Sequence, residues 1–134
     1  MTPELTDKLI KKYPDQFKNL KGIECDDGWY KILDKLFYIV TNRLDYKNRL
    51  NEPFDFGWTQ LKEKFGSLRA YCYGSDDYIK GAIEMAESVS CMTCEVTGEK
   101  GKLRNQKIDE SGEIVKVWVK TLCDSEAQKQ GYVL

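Results

Sequence analysis

Cys91 and Cys94 stand in a CxxC, and a third cysteine, Cys123, returns far along the chain with Glu126 three residues behind it. Zinc is a borderline-soft ion that takes four ligands tetrahedrally, often from two short knuckles. Cys91 and Cys94 could form the first knuckle and Cys123 the second, with Glu126 completing a Cys3Glu set and Asp124 a less well placed substitute. Two other readings use the same sulfurs: reduced structural thiols, or a redox pair. A redox pair needs a lowered thiol pKa, usually from a helix N-terminus or nearby cations. Here the CxxC is expected at the end of a helix, where the dipole opposes a thiolate. The chain has no histidine. That excludes a Cys2His2 finger and a His-based triad, and removes the commonest general base near neutral pH.

A second group of candidates lies in KEKFGSLRAYCY, residues 62–73. Strand alternation places Arg69, Tyr71 and Tyr73 on one face, with Lys62 and Lys64 expected across a hairpin. Arginine beside tyrosines can hold a phosphate or carboxylate and stack on a flat ring; a solvated face of cation–π pairs is the plainer alternative. Asp27 is a candidate for a polar pocket or a helix cap, and Arg104 a further ligand contact. Gly66 stands alone, without the spacing and lysine of a phosphate loop. Carboxylates abound, but no Ser or Cys sits in a nucleophile motif with a base.

Composition narrows the function classes. The chain has 134 residues, the size of one domain, here 1–134, long enough to fold without a metal or disulfides. Charged residues make up 32% yet the net charge is −1, so no general pull toward nucleic acid or anionic membrane exists. Lys100, Lys102, Arg104 and Lys107 form a local basic run, but Glu99, Asp109, Glu110 and Glu113 surround it, which disfavours nucleic-acid binding. Five cysteines and no recognisable signal peptide argue against a disulfide scaffold and for the cytoplasm. No apolar run suggests a membrane span, and no cofactor is indicated. A homo-oligomer is compatible with the sequence.

These groups need elements to position them. Leu5, Leu9 and Ile10 predict a helix over 3–12, and residues 15–26 carry no clear pattern. Trp29, Ile32, Leu33, Leu36, Ile39 and Val40 predict the main core helix, capped by Asp26 or Asp27 and ending near Arg43. Residues 54–64 and 67–73 read as an antiparallel hairpin with a bend near Leu61 and Cys72 turned inward. A third helix is expected over 76–89. A second hairpin is expected over 101–108 and 113–120, and a short last helix after Asp124. The fold class is α+β, with antiparallel hairpins packed on about three helices.

Four blocks carry a family resemblance: ECDDGWYKILDKL (24–36), QLKEKFGSLRAYCYG (60–74), AESVSCMTCEVTGEKGKLR (86–104) and WVKTLCDSEAQKQGY (118–132). With these the chain resembles a family of small, mostly uncharacterised proteins carried by phages and prophages. Members usually bear a CxxC-G turn and then a second CxxC or CxxH, a zinc-ribbon-like clip. On this chain Cys94 and Thr97 fall on the first pair and Cys123 and Glu126 on the second. Thr97 and Glu126 depart from the pattern, so the resemblance implies a degenerate clip, with Cys91 an extra cysteine. It also implies a non-catalytic accessory protein of the host cytoplasm, one that neutralises a bacterial defence protein or sequesters a small nucleotide-like signal. A small enzyme acting on a phosphorylated substrate and a zinc-binding adaptor are the alternatives.

Overall fold

The computed structural model describes residues 1–134. Helix α1 (Pro3–Lys12) starts on a proline suited to the first helical turn and ends before Pro14. A single 3-10 turn, Asp27–Trp29, leads into α2 (Tyr30–Arg49). Trp29, Leu33, Leu36, Phe37 and Val40 line one side of that segment and are at most 2% exposed. Each such side chain contributes roughly 1.5–3 kcal/mol when withdrawn from water.

The helix begins later and ends later than its pattern predicts. Asp26 makes no side-chain cap, and Asp27 Oδ1 instead accepts the Thr2 backbone N–H at 2.8 Å. At the far end Arg43 pairs with Asp76 at 2.9 Å and lies over the rings of Tyr46 and Tyr78, which gives the extra turns packing partners.

Strands β1 (Gly57–Lys64) and β2 (Ser67–Tyr73) form the first hairpin, and β3 (Lys102–Ile108) and β4 (Ile114–Leu122) the second. Phe54 to Phe56 lie outside β1, and its bulge falls between Trp58 and Gln60 rather than at Leu61. Both outer edges of the first hairpin are occupied. Glu24 bridges β1 through its N–H to Leu61 O and its carbonyl to Glu63 N–H. Along β2, the Leu68 and Ala70 N–H groups donate to Ser90 Oγ and Glu87 Oε2 of α3 (Asp77–Ser90). That helix is capped by Asp76, whose side chain accepts the Ile79 N–H at 2.9 Å.

Two apolar clusters result. The larger joins α1, α2, α3 and the first hairpin. Inside it Gln16, a residue without a place in any sequence pattern, is 1% exposed. Its amide donates to Phe37 O and Thr41 Oγ1 and accepts from Trp58 Nε1, so nearly all of its bonding capacity is used. The smaller cluster holds Cys94, Leu122, Cys123, Ala127 and Tyr132, between the second hairpin and α4 (Asp124–Lys129). No helix is long and apolar enough to cross a membrane.

Candidate functional site

The segment after α3 turns tightly from Cys91 to Lys100 and docks on the DDGW turn, backbone against backbone. The Gly28 N–H donates to Glu95 O at 2.7 Å, and Trp29 Nε1 donates to Thr93 O at 2.9 Å. From the other side, the Glu95 N–H donates to Thr121 O of β4. The second hairpin then brings Cys123 back to the turn that holds Cys94.

Cys94 is fully buried and Cys123 is 6% exposed. The Thr97 N–H donates to Cys94 Sγ at 3.5 Å, and the Thr97 hydroxyl lies 3.6 Å from Cys123 Sγ. Ser125 Oγ is 3.4 Å from the same sulfur. The Ser125 and Thr97 hydroxyls, with the Glu126 backbone N–H, bring the Cys123 thiol down to about 7. Burial pushes the Cys25 thiol the other way, up to about 12. In a titration of thiolate ultraviolet absorbance, the difference between the protein and its Cys123→Ser variant should therefore show a midpoint near 7. A midpoint at the ordinary cysteine value of about 8.5 would remove this hydrogen-bonded thiolate from the account.

The four sulfur and carboxylate candidates do not converge. Cys91 continues the helical backbone at the end of α3, so its Sγ turns back toward Glu87 O at 3.7 Å. The Glu126 carboxylate accepts from Gln130 Nε2 and faces Lys129. No group of three or more His, Cys, Asp or Glu side chains is placed to hold a metal ion. The Cys91–Cys94–Cys123–Glu126 set thus does not fit zinc as arranged.

The ligand candidates also separate, into three places. Lys62 sits directly opposite Arg69 in the first hairpin, with Gln60 opposite Tyr71 and Lys64 opposite Ser67, so these side chains share one face. Tyr71 is exposed, while Tyr73 lies across Gly57, where its hydroxyl would stand 2.5 Å from any added Cβ. Asp27 is elsewhere, lining two clefts beside the docked turn. Arg104 is buried in the second hairpin, its Nε donating to Leu122 O and its Nη2 to Asp124.

Sequence reasoning missed Glu95. It is 5% exposed, its Oε2 accepts the Asp26 N–H at 3.1 Å, and burial raises its carboxyl to about 7. Nothing in the local pattern CEVTG marks it, because its burial comes from a turn packing against Asp26 some seventy residues away.

These features define an α+β protein of two antiparallel hairpins joined through a docked turn. Comparison of the chain with family models, with curated proteins and with solved structures finds no match.

Proposed function

We propose that the chain is a non-catalytic phage accessory protein that binds and neutralises a protein of bacterial defence through the open face of the first hairpin. The observation that carries this reading is the Lys62–Arg69 pair. Two cations face each other directly across the strands, and neither they nor Lys64 enters any of the six ion pairs. Like charges directly opposite are unfavourable in a sheet, and an acidic partner relieves them. Arg69 Nε in addition has no protein acceptor. Tyr71 beside them and the exposed Phe65–Trp118 stack, centroids 5.6 Å apart, supply the aromatic area that protein interfaces favour. The five cavities of note do not draw on Lys62, Arg69 or Tyr71. A charged pair that lines none of these five cavities suits an extended macromolecular surface better than a small signalling molecule, which a binding site must largely enclose. The defence role is the part that rests on the family resemblance.

The knuckle–hairpin–knuckle end is, on the same reading, a degenerate zinc-ribbon-like clip. The Thr97 N–H on Cys94 and the Thr97 and Ser125 hydroxyls on Cys123 support it, hydrogen bonds standing where a metal would otherwise join the two turns.

The test is phage plating on bacteria carrying individual defence systems, with the protein expressed in trans. The protein should restore plating against one system, and Lys62→Glu with Arg69→Glu should reduce the rescue at least tenfold without altering thermal stability. Full rescue by the double variant would reject this face; no rescue against any system would reject the defence role.

A further inference from the structure

Arg104 is the most deeply buried cation of the six ion pairs, its side chain 2% exposed, and its guanidinium is only partly used. Nε and Nη2 are occupied by Leu122 O and Asp124, but Nη1 is buried without a protein acceptor. A buried charged donor left over is costly and calls for a partner. Arg104 lines a cavity of about 330 Å³ whose other walls are Lys100, Gly101, Lys102 and Asp124, with no apolar side chain among them. The volume is at the lower end of small-molecule sites, roughly 300–1,000 Å³. Lys100 and Lys102 are exposed at its mouth and neither enters an ion pair.

We infer that this cavity is a phosphoryl-group site, with Arg104 as its fixed fork and Lys100 and Lys102 as mobile point charges. Three cations against one carboxylate match a phosphate, which carries about two negative charges and three acceptor oxygens. A guanidinium is suited to two parallel hydrogen bonds to such a group, and ammonium groups add charge without fixed geometry. Asp124 is the competing anion. Its carboxylate is 2.6 Å from Nη2 yet 79% exposed, so it can swing into solvent when a phosphate arrives. The site shares no residue with the hairpin face and does not depend on the function proposed for it.

Isothermal titration and amide NMR with inorganic phosphate and with adenosine monophosphate test the inference on the whole chain. Saturable binding of phosphate with shifts at Gly101 and Lys102 is expected. Tighter binding of the mononucleotide would identify a phosphate ester as the natural form, and equal binding a free phosphate. Lys100→Ala with Lys102→Ala, both on exposed side chains, should weaken binding at least tenfold while leaving the fold intact. Asp124→Asn should tighten it several-fold, an effect opposite in sign to any loss of structure. Absence of saturation, or an affinity unchanged in both variants, would overturn the site.

Discussion

Gly28→Ala should destabilise the protein by about 3 kcal/mol, lowering its melting temperature by roughly 10 °C, the upper range for inserting atoms into a packed interior. A Cβ at this position would overlap the carbonyl oxygens of Cys94 and Glu95 and lie 2.5 Å from the Glu95 carbonyl carbon. These are backbone atoms, which cannot rotate away as a side chain can. Retreat would break the 2.7 Å bond from the Gly28 N–H to Glu95 O and pull on the Trp29–Thr93 bond beside it. Those contacts attach the turn bearing Cys94 to the helical part, so the damage should reach the second hairpin. In NMR the Cys123 and Thr121 amides should shift even though both are remote in sequence. Gly81→Ala is the control. It lies within α3 with nothing within 4 Å of an added Cβ, and should stabilise by up to about 1 kcal/mol through helix propensity. Equal melting temperatures for the two variants would sink the close-approach argument.

The second large effect is a dependence of stability on Glu95 ionisation. Its carboxyl rises to about 7 in the fold because burial outweighs the Asp26 N–H bond, with Asp26 and Glu63 adding repulsion and Lys120 opposing it. The sign follows from linkage. Below the unfolded value of about 4.3 the group is neutral in both states and costs nothing. As pH rises toward 7 the unfolded chain ionises first, so stability falls through that window and stays lower above it. The full shift corresponds to roughly 3–4 kcal/mol at alkaline pH, at 1.36 kcal/mol per pKa unit. Glu95→Gln keeps an acceptor for the Asp26 N–H and removes the charge. Denaturant melts should show the variant more stable than the parent at pH 8 by about 2 kcal/mol, and close to it at pH 4. A gap of the same size at both pH values would mean that the effect is packing and not ionisation.

Local chemistry made much of the fold legible. Pro3 and Pro14 bracket α1, Asp76 announces α3, and Ser111-Gly112 marks the second bend, each by a mechanism confined to a few residues. What stayed hidden depended on distant partners. Gln16 has no periodicity to betray it, since its role is to satisfy Phe37, Thr41 and Trp58 across the core. Asp27 looks like a helix cap in sequence, but in the fold its carboxylate accepts the Thr2 backbone N–H, twenty-five residues away. At the candidate site, the approach of Cys123 to the turn bearing Cys94 could be anticipated from the hairpin between them, whereas Thr97 bonding to both sulfurs appears only in the fold. The withdrawal of Cys91 could not, because spacing does not say that the backbone remains helical through it. The Lys62–Arg69 opposition was legible only as alternation, and the register made it a direct pair.

The occupied edges of the first hairpin set how it can recognise anything. With Glu24 on one side and the α3 side chains of Glu87 and Ser90 on the other, the sheet has little main chain to offer at those positions. Adding a strand from a partner, the mode that reads backbone and tolerates varied sequence, would first require displacing α3 or the Glu24 segment. Recognition of the proposed partner there would have to go through side chains projecting from the face, and would be selective for that partner's charge pattern. The same closure denies the hairpin to other copies of the chain as a template for edge-to-edge aggregation.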